Sequence, residues 1–189
     1  IILAIERLLT RHRATIYLHL ATNICYSTHV CILQVSIMAK VRAAVIAGFD
    51  KQMRLLQADP DKILQANGFS PGFPAVGDLD ELVSYNCIEG LLQNAADATG
   101  CSHFAALLGI NQNINLLGAV GQLMLQSNDV GTALLALVDH LMLHISGPVN
   151  GALNSCGDQA HLSYHNSAQT ELRKQSDELA MAQSIVHLL

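Results

Sequence analysis

Tryptophan is absent, and aromatic residues make up only 4% of the 189 positions. The core must therefore be built from Leu, Ile, Val, Ala and Met, which favours packed helices over an aromatic-rich sandwich. Charge is scarce as well, at 13% against roughly 25% in an average globular chain, while 51% of residues are hydrophobic. That balance excludes intrinsic disorder. No Lys or Arg occurs between Lys62 and Arg173. Residues 1–37 carry a net +2, whereas residues 38–189 hold seven Lys or Arg against fourteen Asp or Glu, a net −7. Nucleic-acid affinity rests on cations that neutralise phosphates, so this acidic body is not expected to bind DNA by itself. The five cysteines (Cys25, Cys31, Cys87, Cys101, Cys156) are odd in number and lack a CxxC pair. A disulfide framework or zinc knuckle is not indicated; reduced, buried thiols in a cytoplasmic protein are expected.

Catalytic fingerprints are missing too. There is no GxSxG, phosphate-loop or dinucleotide motif, because no glycine follows a strand while opening a helix. Asp78, Asp80 and Glu81 are acidic neighbours, and their expected role is to offset the dipole at a helix start. Residues 14–39 lack formal charge and follow Arg11 and Arg13, the outline of a signal or anchor segment. His19, Asn23, Ser27, Thr28, His29 and Gln34 interrupt the apolar run and raise the cost of insertion, so no membrane contact is expected. The length suits one domain with an appendage. Met38 opens a segment with the character of a natural start, and residues 1–37 are expected to lie outside the functional domain.

What is present reads mainly as helix. Val41, Ala44, Val45, Phe49, Met53 and Leu56 recur at helical spacing, predicting an amphipathic helix over 41–56. Asp59 precedes Pro60, a residue suited to the first helical position, and Gly68 supplies a stop. Residues 69–77 form a Pro- and Gly-rich loop. A long helix is predicted over 80–99, ending at Gly100 and burying Leu82, Ile88, Leu91, Leu92, Ala95 and Ala96. Ser102 is expected to cap a short helix closing at Gly109. Gly118 and Gly121 invite close backbone approach on the next helix. The run DVGTALLALVDHLMLHI, apolar nearly all round, predicts a helix central to the core. A hairpin about Gly157 and Asp158 sets Ala160, Leu162 and Tyr164 against His161, Ser163 and His165. One hairpin is marginal alone and must pack on helices or gain strands. The closing segment is a helix with Leu172, Leu179, Ala182 and Ile185 or Val186 on its apolar side. The expected fold class is α+β: a helix-rich bundle packed against a small antiparallel sheet or hairpin.

His140 and His144 stand four apart on the predicted central helix, the spacing that lets two imidazoles reach one metal. Leu141 occupies the place of the glutamate in an HExxH site, and no third ligand is evident, so packing or pocket lining is the expectation. His161 and His165 share the spacing but sit on a strand, where about 13 Å separates them at roughly 3.3 Å per residue. One ion cannot bridge that. No catalytic residue, metal or cofactor is therefore expected.

Four stretches, taken in order, carry a resemblance. They are AGFDKQMRLLQADPDKILQANG, LDELVSYNCIEGLLQNAADATGCSHFAALLG, INLLGAVGQLMLQSNDVGTALLALVDHLMLH and GPVNGALNSCGDQAHLSYH. Together they resemble the N-terminal effector-binding region, labelled an arabinose-binding domain, of AraC-type bacterial transcription regulators. Ala105 departs from the pattern HFGLxLG, which often has Gly there, so close backbone packing is expected to differ. The resemblance implies a mixed helix and sheet sensor over 38–189, incomplete at its C-terminus. It further implies a small-molecule effector, a homodimer, a cytoplasmic location, and DNA contact only through a helix-turn-helix domain beyond Leu189. The competing readings are a metal-dependent hydrolase using His140 and His144, and a helical dimerisation module without a ligand.

Overall fold

The computed structural model describes residues 15–19, 39–147, 149–156, 159–166 and 173–185. Met38, the expected start, lies outside them, as do Cys25 and Cys31. The architecture is α+β. Six strands are described: β1 (Thr15–His19), β2 (Lys40–Arg42), β3 (Leu82–Ser84), β4 (Ile145–Ser146), β5 (Val149–Cys156) and β6 (Gln159–Asn166). The α-helices are α1 (Phe49–Leu55), α2 (Pro60–Ala66), α3 (Tyr85–Thr99), α4 (Phe104–Ile110), α5 (Ala119–Leu125), α6 (Val130–Asp139) and α7 (Arg173–Ile185). None is long and apolar enough to cross a membrane.

The strands form two small sheets. In one, β2 lies between β3 and β4, antiparallel to both, so that Val41 faces Val83 on one side and Ile145 on the other. In the other, β5 and β6 make the expected hairpin, with Leu153 opposite Leu162, and β1 runs parallel to β6. The third strand supplies pairing that an isolated hairpin lacks.

Several helices begin and end where the sequence signals them. Pro60 opens α2, and the Asp59 carboxylate accepts the Asp61 N–H at 3.1 Å. Gly100 closes α3 at φ 65°, a left-handed conformation that suits glycine. Gly121 packs against the Ile114 carbonyl so closely that a Cβ there would collide with it.

Other expectations are corrected. The predicted helix over 41–56 is β2, then a 3-10 turn (Ala43–Ile46), then α1. The predicted helix over 80–99 starts only at Tyr85, because residues 82–84 pair with β2 as a strand; Leu82 is consequently exposed rather than buried. Asp80 and Glu81 therefore do not sit at the start of α3, whereas Asp78 lies in the first turn of a short 3-10 turn (Val76–Asp78). Asp80 instead accepts from Arg42 Nε at 3.0 Å, and Asp78 accepts the Ala75 N–H at 3.0 Å. α4 is preceded by His103, and its first turn takes no cap from Ser102. The apolar run after Asp129 stops being α-helix at Asp139 and continues as a 3-10 turn (Leu141–Leu143). Leu135, Met142 and Leu143 are exposed, so this run is not the centre of the core. Cys87 is exposed on the polar side of α3, and Cys101 is half-buried.

The core has two parts. The larger gathers Phe49, Met53, Leu64, Leu92, Phe104 and Leu108, with Phe49 and Phe104 edge to face at 5.6 Å between ring centres. The smaller comprises Ile114, Leu117, Val120, Met124, Ala133 and Leu137. Leu141 packs against both.

Candidate functional site

Between the two parts of the core lies a partly open cavity of about 60 Å³. Val41, Val45 and Ile88 line it from the larger core, and Leu117 and Leu137 from the smaller. β6 contributes Leu162, Ser163 and Tyr164, and α7 closes one wall with Leu179, Met181 and Gln183. The wall is almost wholly apolar, as in most small-molecule sites, where a few polar groups fix orientation.

The arrival of His144 in this wall follows from the local chain path. α6 ends at Asp139, the 3-10 turn carries the chain round, and Ile145 must pair with Val41 in β4. His144 is thereby turned inward and is only 5% exposed. Among the described residues, its Nδ1 and Nε2 are the buried side-chain polar atoms left without a hydrogen-bond partner. Burial holds the imidazole well below its usual range, to a pKa of about 4, and repulsion from the Arg42 guanidinium adds to the effect. It is a neutral ring near pH 7, with one nitrogen able to donate and the other to accept.

His140 goes elsewhere. It is exposed, with Nδ1 3.0 Å from the Ala136 carbonyl oxygen, and it ends α6 rather than facing the cavity. The four-residue spacing therefore does not bring the two imidazoles together on one helix face. Among the described residues, no group of three or more His, Cys, Asp or Glu side chains has the arrangement to hold a metal ion. His161 and His165 lie on β6 as expected; the side chain of His165 lies outside the described residues.

The other polar groups of the wall were not legible as a site. The Tyr85 and Tyr164 hydroxyls, 3.4 Å apart, bring α3 and β6 together. Burial, with Tyr85 close by, pushes the Tyr164 phenol up. On α7, Ser176 donates to the buried Glu89 at 3.0 Å, and Gln183 Nε2 donates to the Val45 carbonyl at 3.1 Å. Gln183 also donates to Gln112 Oε1 at 2.6 Å. Gln175 Oε1 accepts the Ala105 N–H at 3.1 Å while its Nε2 donates to the Ser102 carbonyl at 2.9 Å. Ala105, the residue departing from the family pattern, thus contacts α7 through its backbone. A helix whose inner face carries Gln175, Ser176 and Gln183 gives only a partial apolar stripe, so periodicity finds the helix but not its partners.

Close packing against α4 seats this wall. A Cβ on Gly109 would stand 2.7 Å from Ala182 Cβ and 3.0 Å from the Leu179 carbonyl oxygen. Gly109→Ala is expected to gain helix propensity but to wedge α7 outward, for a net loss of about 1 to 2 kcal/mol. Urea unfolding measures it; unchanged stability would mean that α7 shifts freely.

No match was found among the curated proteins. A family model described as the arabinose-binding domain of AraC transcription regulators, N-terminal, matches residues 58–188, more than half of the chain. That match spans α2 to α7 and with them most of the cavity wall, and the chain belongs to this family of regulator N-terminal domains.

Proposed function

We propose that this chain senses a small-molecule effector in the cavity at His144, without catalysis, and passes its occupancy to DNA binding carried by a separate helix-turn-helix domain. The observation that carries the reading is the orphaned, buried imidazole in an otherwise apolar wall. Buried polar groups in folded proteins are nearly always paired, so an unpaired one facing a cavity suits a visiting partner. The family supplies the regulatory context, and the net −7 of residues 38–189 accords with phosphate contacts made elsewhere. A cytoplasmic location fits that role. The sensor unit in this reading is residues 38–189, with 1–37 as an extension that lends β1 to the β5–β6 sheet.

The same chain forms a homodimer in this reading. Large exposed apolar side chains concentrate in residues 123–143, among them Leu123, Leu125, Leu135, Met142 and Leu143. Such a surface suits a second copy better than water.

A thermal-shift screen of the purified chain against a metabolite collection tests the sensing role. Stabilising compounds are expected, and Ala180→Phe, which fills the cavity from α7, should abolish their effect. Compounds that stabilise the variant equally well, or a screen without any, would overturn the assignment of the cavity.

A further inference from the structure

The chemistry of the cavity narrows what it takes, given the reading that it is the effector site. Its polar groups are largely committed to the protein. Ser163 donates to the Ala152 carbonyl at 3.3 Å, Ser184 to the Ala180 carbonyl at 2.7 Å, and Ser176 to Glu89. The Gln183 amide N–H groups go to the Val45 carbonyl and to Gln112 Oε1. Among the described lining residues, His144 is the one with buried side-chain polar atoms that have no hydrogen-bond partner at all.

Two classes of ligand are disfavoured. A sugar carries a hydroxyl on nearly every carbon, and each one buried without a partner costs affinity. A carboxylate needs a cation. His144 is neutral near pH 7, and Arg42 is held by Asp80 and by the Leu116 carbonyl at 3.1 Å. A mainly apolar, uncharged molecule meets neither objection.

We propose that the cavity takes a mainly aliphatic, uncharged molecule with a single hydroxyl, carbonyl or amide group, which hydrogen-bonds to His144. The hydrocarbon part lies along Leu117, Leu137, Leu162 and Leu179, and the polar group reaches the imidazole. A hydroxyl satisfies the ring with either tautomer, donating to one nitrogen or accepting from the other.

The experiment titrates the full chain at pH 7.4 with 1-octanol, octanoate and L-arabinose, by calorimetry and by the 15N shifts of the His144 ring. Saturable 1-octanol binding with a shift at His144 is expected. Ala180→Phe should abolish that binding, and His144→Leu should weaken it about fivefold, the loss of one hydrogen bond. The shift in the unsubstituted chain keeps the result readable if His144→Leu folds poorly. Tighter binding of octanoate or L-arabinose, lost in Ala180→Phe, would overturn the ligand class and leave the cavity as the effector site. Octanol affinity unchanged in His144→Leu, with no shift at the ring, would overturn the hydrogen bond. Absence of binding by all three probes, or binding insensitive to Ala180→Phe, would remove both the ligand class and the site.

Discussion

Phe104→Ala is expected to destabilise the chain by about 4 kcal/mol, within the range measured when a buried phenylalanine is truncated. Phe104 is fully buried at the start of α4 and meets Phe49 edge to face at 5.6 Å, so truncation loses transfer energy and an aromatic contact together. The space left behind is bordered by rigid elements and cannot collapse cheaply. Against a typical stability of 5 to 15 kcal/mol the loss is a large fraction of the whole. Urea unfolding should show a lower midpoint with an unchanged slope, the signature of lost stability rather than of a changed unfolded state. A loss below about 1 kcal/mol would mean that α4 repacks around the vacancy and that the larger core is softer than its burial implies.

Acidification should weaken the fold through His144. In the folded chain its imidazole protonates only near pH 4, whereas in the unfolded chain it does so near 6.5. Between those values the unfolded state binds a proton that the folded state refuses, so stability falls as pH is lowered through this window. The contribution is full above about pH 6.5, is lost on approaching pH 4, and amounts to about 3 kcal/mol. Other groups titrate in the same range, so the comparison is with His144→Leu, which lacks the group. The unfolding free energy of the variant relative to the original should therefore rise in the variant's favour as pH falls from 7.5 to 4.5. A difference independent of pH would mean that the folded chain protonates His144 as readily as the unfolded one. At neutral pH the variant is expected to be at least as stable as the original, because the imidazole it removes has no partner.

Local signals carried much of this fold. Pro60 after Asp59, Gly100 after a helical run, and the alternation about Leu162 each work within a few residues, and α2, α3 and the β5–β6 hairpin follow from them. The central sheet was illegible for the opposite reason. Its strands are two or three residues long, too short to alternate, and their pairing joins positions far apart, such as Val41 with Val83 and Ile145. Tertiary pairing therefore overrode helical periodicity at both Val41 and Leu82. The same cause divided the two histidines. Nothing in VDHLMLHI marks a helix stop, yet the chain must leave α6 for Ile145 to reach β2. Sequence drew attention to His144 through a spacing that the fold does not use; its solitude in an apolar wall emerges only from the packing of both core parts.

The polar seam under α7 has one further consequence. Apolar ridges tolerate sliding, because one leucine serves nearly as well as the next. Gln175, Ser176 and Gln183 do not, since each is matched to a fixed partner at Ala105, Ser102, Glu89, Val45 or Gln112. A slip of one residue, about 1.5 Å along the axis and a rotation of roughly 100°, would strand these groups together in the interior. Intermediate positions are thus disfavoured, and α7 behaves as a keyed part rather than a greased one. The wall it forms is complete when the helix is home, and the cavity loses that wall altogether when it is not.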